Sequence, residues 1–372
     1  MVGAVQGRGT PFCRTSGAAI PRARVGQAFV WPFPAQARRI PRFAAAAVGE
    51  GLALAGDAGW RTGADSPCRV RAAAVPGLSV AQWVRLARPF SLPASVVPVL
   101  VGAAAAAERG PVSPARTALM LAVALLLQAA TNMANEYCDH RSGVDGPSSI
   151  GIAGVLVTGE AAPAAVRRAF LVTYGLALLA GIALAALRGW VLVPVGLLMI
   201  VVSYLYSGGP HPISRTPWGE VCVFLAMGPL EVMISEFASG AGVTRAALAA
   251  ALPVGCTVAA VLLGNNLRDL ANDVEHGRRT LAAVLGADRS ARLLLVLLAA
   301  GVASAPVLAG VGILPAPTAW TLLVVPAMLP LWRQIGRARR GAWSANLVPA
   351  LARLHLYGGA LLAAGLLVGR WV

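Results

Sequence analysis

Two stretches of this chain set acidic and amide side chains at the spacing of a single helical face. The first holds Asn132, Asn135, Glu136 and Asp139 and continues through Arg141 to Asp145; the second holds Asn265, Asp269, Asn272 and Asp273, followed by Glu275, Arg278 and Arg279. Offsets of i, i+3, i+4, i+7 and of i, i+4, i+7, i+8 keep each set on one side of a helix. Asn265 lies 133 residues after Asn132, and Asp269 lies 133 after Glu136, a spacing compatible with an old internal duplication. Carboxylates gathered at one rim repel one another unless a cation sits among them. Oxygen-only ligands suit Mg²⁺, which keeps its waters and bridges a few carboxylates to a substrate phosphate. The metal ligands on this reading are Glu136, Asp139, Asp145, Asp269 and Asp273. Arg141, Arg268, Arg278 and Arg279 would hold the phosphate oxygens that the metal does not. Each stripe taken alone also reads as a solvated helix end with acids paired to Arg, and a cation-coupled transporter is the rival for both, because intramembrane acids mark ion pathways as well.

The elements that carry these stripes must be built for lipid. Charged residues make up 12% of the 372 and hydrophobic ones 57%, and mean hydropathy is +0.70, whereas a soluble domain is roughly 25% charged. Nine apolar stretches follow Trp83, at 90–107, 116–136, 165–187, 189–206, 218–238, 244–266, 291–311, 317–334 and 345–369. Each is near the ~20 residues a helix needs to cross the hydrocarbon layer. An all-α, multi-pass integral membrane protein of about nine transmembrane helices enclosing a central cavity is expected. Trp83, Trp190, Trp218, Trp320, Trp332 and Trp371 fall at or near span ends, where indole prefers the headgroup region.

All 31 cationic side chains are Arg, which excludes a lysine nucleophile or Schiff base. The net charge of +16 needs no nucleic acid, because arginine in loops flanking apolar spans satisfies the positive-inside bias. Fifteen arginines fall in the loops after the second, fourth, sixth and eighth spans or before the first, against five on the other side. The acidic rim should therefore face the cytoplasm of a bacterial cell, or the matrix or stroma of an organelle. The five cysteines form no CxxC pair, so neither structural zinc nor a disulfide framework is expected. Residues 1–75, rich in Ala, Gly, Arg and Pro and without a sustained period, read as a disordered or removable extension. A transit peptide and a mis-assigned start codon both fit it. Residues 76–372 form the membrane domain.

With Trp83-Val84-Arg85 through Arg88-Pro89, Asn135-Glu136-Tyr137-Cys138-Asp139, Tyr206-Ser207-Gly208-Gly209-Pro210, Gly219-Glu220-Val221 and Asn265-Asn266-Leu267-Arg268-Asp269 through Gly277-Arg278-Arg279-Thr280, the chain resembles the UbiA superfamily of membrane prenyltransferases, nearest to its naphthoate-prenylating branch. The resemblance implies Mg²⁺-dependent transfer of a polyprenyl group from polyprenyl diphosphate to an aromatic acceptor. It points to 1,4-dihydroxy-2-naphthoate, giving demethylmenaquinone, with 4-hydroxybenzoate and homogentisate as alternatives. It also implies that Asp139, Asp269 and Asp273 carry the catalysis, and that Arg88, Asn135, Tyr206 and Asn265 join the arginines at the substrates. Glu136 stands where the family usually has Asp, and Arg278 where Lys is common. His211 and Tyr204 read as parts of an interfacial turn, and Glu231, though ionisable and mid-span, is left outside the site.

Overall fold

The computed structural model describes residues 77–146, 153–240, 242–338, 343–344 and 346–371. All of them belong to the unit Ser66–Val372. The expected extension 1–75 lies outside the described residues.

Among the described residues the ordered elements are all helical. They run α1 (Val80–Ala87), α2 (Pro93–Ala107), α3 (Pro114–Arg141), α4 (Pro163–Arg188), α5 (Leu192–Ser207), α6 (Gly219–Leu225), α7 (Glu231–Ser239), α8 (Arg245–Arg268), α9 (Leu270–Glu275), α10 (Leu281–Leu285), α11 (Ala287–Gly310), α12 (Val325–Ala338) and α13 (Leu347–Gly369). Their starts follow local chemistry. Ser79 and Gln82 close a reciprocal capping box on α1, Ser113 accepts from the Arg116 amide ahead of Pro114 on α3, and Thr244 accepts from the Ala247 amide on α8. Between α1 and α2 the chain bends by 60°. Pro89 and Pro93 remove amide donors there, and Arg88 takes a left-handed φ of 50°.

The described residues of the nine expected spans are largely helical, but nine membrane crossings are not confirmed. Among the described residues six helices are long and apolar enough to cross, and a seventh if the bent pair Val80–Ser91 and Pro93–Ala107 counts as one span. The 16 residues of α5 rise only about 24 Å against the ~30 Å of a hydrocarbon core. The eighth expected span is divided between a 3₁₀ segment, Ala316–Val324, and α12, which contains Pro330.

Among the described residues four packed clusters hold the bundle, and two of them pack the stripe-bearing ends of α8 and α3. Leu263 and Leu267 of α8, Leu294 of α11, Ile335 of α12 and Leu351 of α13 interlock in one. In the other, Leu86 of α1 meets Met133 of α3 with Val166 and Phe170 of α4. Small residues let backbones approach: a Cβ at Gly228 would sit 2.8 Å from Gly255 Cα, a contact only glycine permits. Leu179, Leu198, Val201 and Leu323 point outward, as a lipid-facing surface requires. So do Trp190, Trp218, Trp320, Trp332 and Trp371, whereas Trp83 packs against the α3–α4 cluster.

Candidate active site

A cavity of about 450 Å³ occupies the middle of the bundle, and both acidic stripes open into it. Its rim is lined by Arg88, Asn135, Asp139, Asp145, Tyr206, Asn265, Arg268, Asp269, Asp273 and Arg278. Below them come Leu127, Met199, Val202, Val223, Val258 and Leu262. The cavity is therefore charged at one end and chiefly apolar beneath.

The two stripes meet through one guanidinium. Arg278 Nε lies 3.4 Å from Asp273 Oδ1, and its Nη1 lies 3.7 Å from Asp139 Oδ2. Its side chain is 12% exposed, those of the two acids 3% and 6%, so little solvent screens the bridge. Asn272 Nδ2 adds a bond of 3.3 Å from the second stripe to the Val144 carbonyl of the first. Arg278 points inward because α9 ends at a turn whose Gly277 has φ 68°, a conformation glycine adopts without strain. Its Nη2 donates to the Ser214 carbonyl at 3.2 Å.

Each stripe is also braced from within. Asn135 Nδ2 donates to Asp139 Oδ2 at 2.9 Å and to Ser207 Oγ at 3.2 Å. Arg268 grips Asp269 through both oxygens, at 2.8 and 2.7 Å, and donates to Asn265 Oδ1 at 2.9 Å. Such fork-to-fork pairing fixes a carboxylate's plane as well as its charge. Arg88 donates to Asn135 Oδ1 at 3.0 Å and to Glu136 Oε2 at 2.9 Å. Its left-handed backbone costs roughly 1–2 kcal/mol, and strain of this kind collects at functional sites.

Three of the expected site residues are placed elsewhere. Both oxygens of Glu136 are consumed: Oε2 accepts from Arg88 and the Ala153 amide (2.9 Å), and Oε1 from the Gly154 amide (2.7 Å). Glu136 is 1% exposed and does not line the cavity, so it anchors Arg88 and the 153–154 backbone and is not placed as a metal ligand. Arg141 is exposed and lies over the Tyr137 ring at 5.8 Å, outside the cavity. Arg279 is exposed too, and its backbone amide donates to the Arg215 carbonyl.

Conversely, several side chains outside the expected set line the cavity or touch it. Arg215 stands 3.9 Å from Asp139 Oδ1 and donates to Ser142 Oγ. Ser207 and Asn132 line the wall, as do Glu231 and His355 farther down. The stripe pattern already contained Asn132, whereas nothing in local spacing marks Ser207, which arrives from α5. His211 stays exposed in the segment after α5, whereas Tyr204, also exposed, belongs to the last turn of α5 itself.

The acids present fit a hard divalent cation used jointly with a phosphate. Asp139 Oδ1 and Asp145 Oδ2 are buried without a hydrogen-bond partner. Among the described residues no three His, Cys, Asp or Glu side chains form a ready-made ligand cluster, so the five acids are not one cage. Mg²⁺ is commonly held by one or two carboxylates plus substrate phosphates, which this arrangement can supply. Burial is the first cause pushing the Asp145 carboxyl up to about 7, with the Asp139 charge adding to it and Arg88 opposing it. Burial likewise pushes Asp273 up to about 6, against the pull of Arg278.

Residues 95–369 match the model of the UbiA prenyltransferase family. The chain belongs to this family. It is thus a prenyltransferase of the membrane, and the transporter alternative falls. It is 33% identical over 288 residues to the 1,4-dihydroxy-2-naphthoate octaprenyltransferase of Bacillus subtilis, covering 76% of this chain and 91% of that one. It is 35% identical over 273 residues to the protein of the same name from Mycobacterium tuberculosis, covering 73% and 91%. The fold matches that of a UbiA homologue from Archaeoglobus fulgidus bound to GPP and Mg²⁺, with a TM-score of 0.56 at 19% identity over 78% of this chain and 100% of that one.

Proposed function

We propose that this UbiA family enzyme transfers a polyprenyl group from its diphosphate to 1,4-dihydroxy-2-naphthoate, with Mg²⁺, at a site facing the cytoplasm. The observation that carries the reading is the Arg278 bridge, which joins Asp139 and Asp273 in a single cavity. The names of the bacterial relatives support the acceptor. The GPP and Mg²⁺ bound by the archaeal homologue support the donor and the metal.

Asp139, Asp145, Asp269 and Asp273 would hold the metal, which would supply positive charge to the departing diphosphate. Arg278, released from its two carboxylates, turns to the diphosphate oxygens with Arg88 and Arg268, while Asn135 and Asn265 keep the acids oriented. Tyr206 places a hydroxyl beside the acceptor. The apolar wall under the rim keeps water from the allylic cation until the aromatic ring attacks. The new carbon–carbon bond forms at the ring carbon bearing the carboxylate, which leaves as CO₂.

Membranes containing the protein are offered labelled polyprenyl diphosphate and, separately, dihydroxynaphthoate, 4-hydroxybenzoate and homogentisate. Label should move to the naphthoate, and only with Mg²⁺. Preference for either benzenoid acceptor, or equal transfer in EDTA, would overturn the acceptor or the metal assignment.

A further inference from the structure

Two buried side chains at the far end of the cavity carry polar atoms without partners. Glu231 lines the cavity and is 6% exposed, and no described residue hydrogen-bonds or pairs with its carboxyl. His355 lines it too and is 1% exposed. Its Nδ1 lies 2.7 Å from Thr257 Oγ1, whose own hydrogen is directed at the Pro253 carbonyl at 2.8 Å. The threonine oxygen therefore accepts from Nδ1–H, which leaves Nε2 a bare acceptor in the neutral ring. Nε2 is buried and unpartnered, the Pro93 carbonyl beside the ring falling outside hydrogen-bond geometry. Gln128, by contrast, is engaged by Ser95 and Asn132. Glu231 directly follows the π-helical turn Ala226–Leu230, and such turns recur where a helix re-aims a functional side chain.

Both groups lie at one depth. Glu231 comes 12 residues after Gly219 (231 − 219), where a Cβ would sit 3.6 Å from the Tyr206 hydroxyl at the rim. Thr257, the partner of His355, comes 12 residues before Asp269 (269 − 257). At ~1.5 Å per residue each descent is about 18 Å. Because α7 runs away from the rim, its Cα–Cβ bonds tilt back toward it, which sets the Glu231 carboxyl between about 14 and 18 Å below the acids.

Resting on the prenyl-transfer reading above, we propose that Glu231 and His355 bind the 4-hydroxyl of a 1,4-dihydroxy aromatic acid and so select it over an acceptor that lacks this group. A diphosphate held at the rim sets its allylic carbon about 5 Å below the acids, by three or four bonds of ~1.5 Å. The attacked ring carbon lies about 3–3.5 Å farther down, and the 4-hydroxyl about 4 Å beyond that. This hydroxyl stands about 12–13 Å below the rim, one hydrogen bond of ~2.7 Å from the level of the carboxyl. A phenol can accept from a carboxylic acid and donate to Nε2 at once, or donate to the carboxylate. An isoprenoid tail can do neither. The lining of α3 runs from Asp139 to Ala124, about 22 Å by helix rise. An octaprenyl tail of the kind named for the relatives is about 40 Å extended, at ~5 Å per unit, so much of it lies outside the cavity whatever fills the end.

The test is equilibrium binding of 1,4-dihydroxy-2-naphthoate and of 1-hydroxy-2-naphthoate, without oxygen, to wild type, Glu231→Leu and His355→Phe, each saturated with farnesyl thiolodiphosphate and Mg²⁺. Wild type should hold the dihydroxy acid at least about tenfold more tightly, the worth of one buried hydrogen bond to a charged or desolvated partner. Glu231→Leu should bring the two affinities within about twofold by weakening the dihydroxy acid alone, and His355→Phe should narrow the gap in the same way. Equal binding of both acids by wild type overturns the proposal without any variant. So does an unchanged preference in either variant, or an equal loss of both acids. Glu231→Met replaces the leucine variant if that one does not fold. Absence of labelled transfer to either naphthoate counts against the reaction, whereas transfer with no binding preference counts against this site.

Discussion

Replacing Arg278 with Gln separates two effects that would otherwise be confounded. Without metal, Arg278 neutralises Asp273 at 3.4 Å and Asp139 at 3.7 Å. At an effective dielectric of about 20, each contact carries about 4–5 kcal/mol of Coulomb attraction. Most of this is offset by desolvation of nearly buried groups, leaving roughly 1.5–3 kcal/mol for a cation to compete against. Arg278→Gln should therefore tighten divalent binding by about tenfold to a hundredfold. Transfer should move the other way. Loss of one preorganised charge on the departing diphosphate lowers kcat by about 10² to 10³. Calorimetric titration with Mn²⁺ in the absence of donor reads the first quantity, and labelled transfer at saturating Mg²⁺ reads the second. Weaker divalent binding in the variant, or transfer within a factor of three of wild type, would refute the competition assigned to this side chain.

Two further outcomes follow from the same geometry. Glu136→Gln removes the charge that pairs with Arg88 and strands one of the 153–154 amides; thermal unfolding in detergent should show a loss of about 2–4 kcal/mol, with donor KM rising as Arg88 loses its anchor, and unchanged stability would contradict the anchoring role. Metal-free Asp145 and Asp273 keep protons to about pH 7 and pH 6. Their folded pKa values stand above the unfolded ones, so their contribution to stability is present at low pH and fades as pH rises through 6 to 7. Apoprotein should thus lose stability between about pH 4 and 7 while half-saturating Mg²⁺ falls, the upper part of that dependence disappearing in Asp145→Asn; a flat Mg²⁺ response across this range would contradict the assignment.

Helical periodicity identified both acidic stripes, because a face at i, i+3, i+4, i+7 survives any packing that keeps the helix intact. It could not decide between neighbours at a helix end. Arg278 and Arg279 are adjacent, yet the Gly277 turn aims one at the cavity and leaves the other exposed. Glu136 follows Asn135 directly but lies on the flank that meets Arg88 and the 153–154 backbone, partners distant in sequence. Glu231 was legible as a mid-span acid, but its entry into the cavity accompanies a π turn that local spacing does not reveal. Hydropathy located all nine apolar segments, while crossing depends on length and continuity, which α5 and the divided Ala316–Ala338 helix lack.

The central claim is that both stripes clasp one diphosphate through Mg²⁺. Equilibrium binding of farnesyl thiolodiphosphate to wild type, Asp139→Asn, Asp269→Asn and the double variant, each with Mg²⁺ and with EDTA, tests it most directly. A shared site predicts that EDTA abolishes tight binding and that either single change costs nearly as much as both together, a coupling of about 1–3 kcal/mol. Binding that survives EDTA, or losses that simply add, would contradict it.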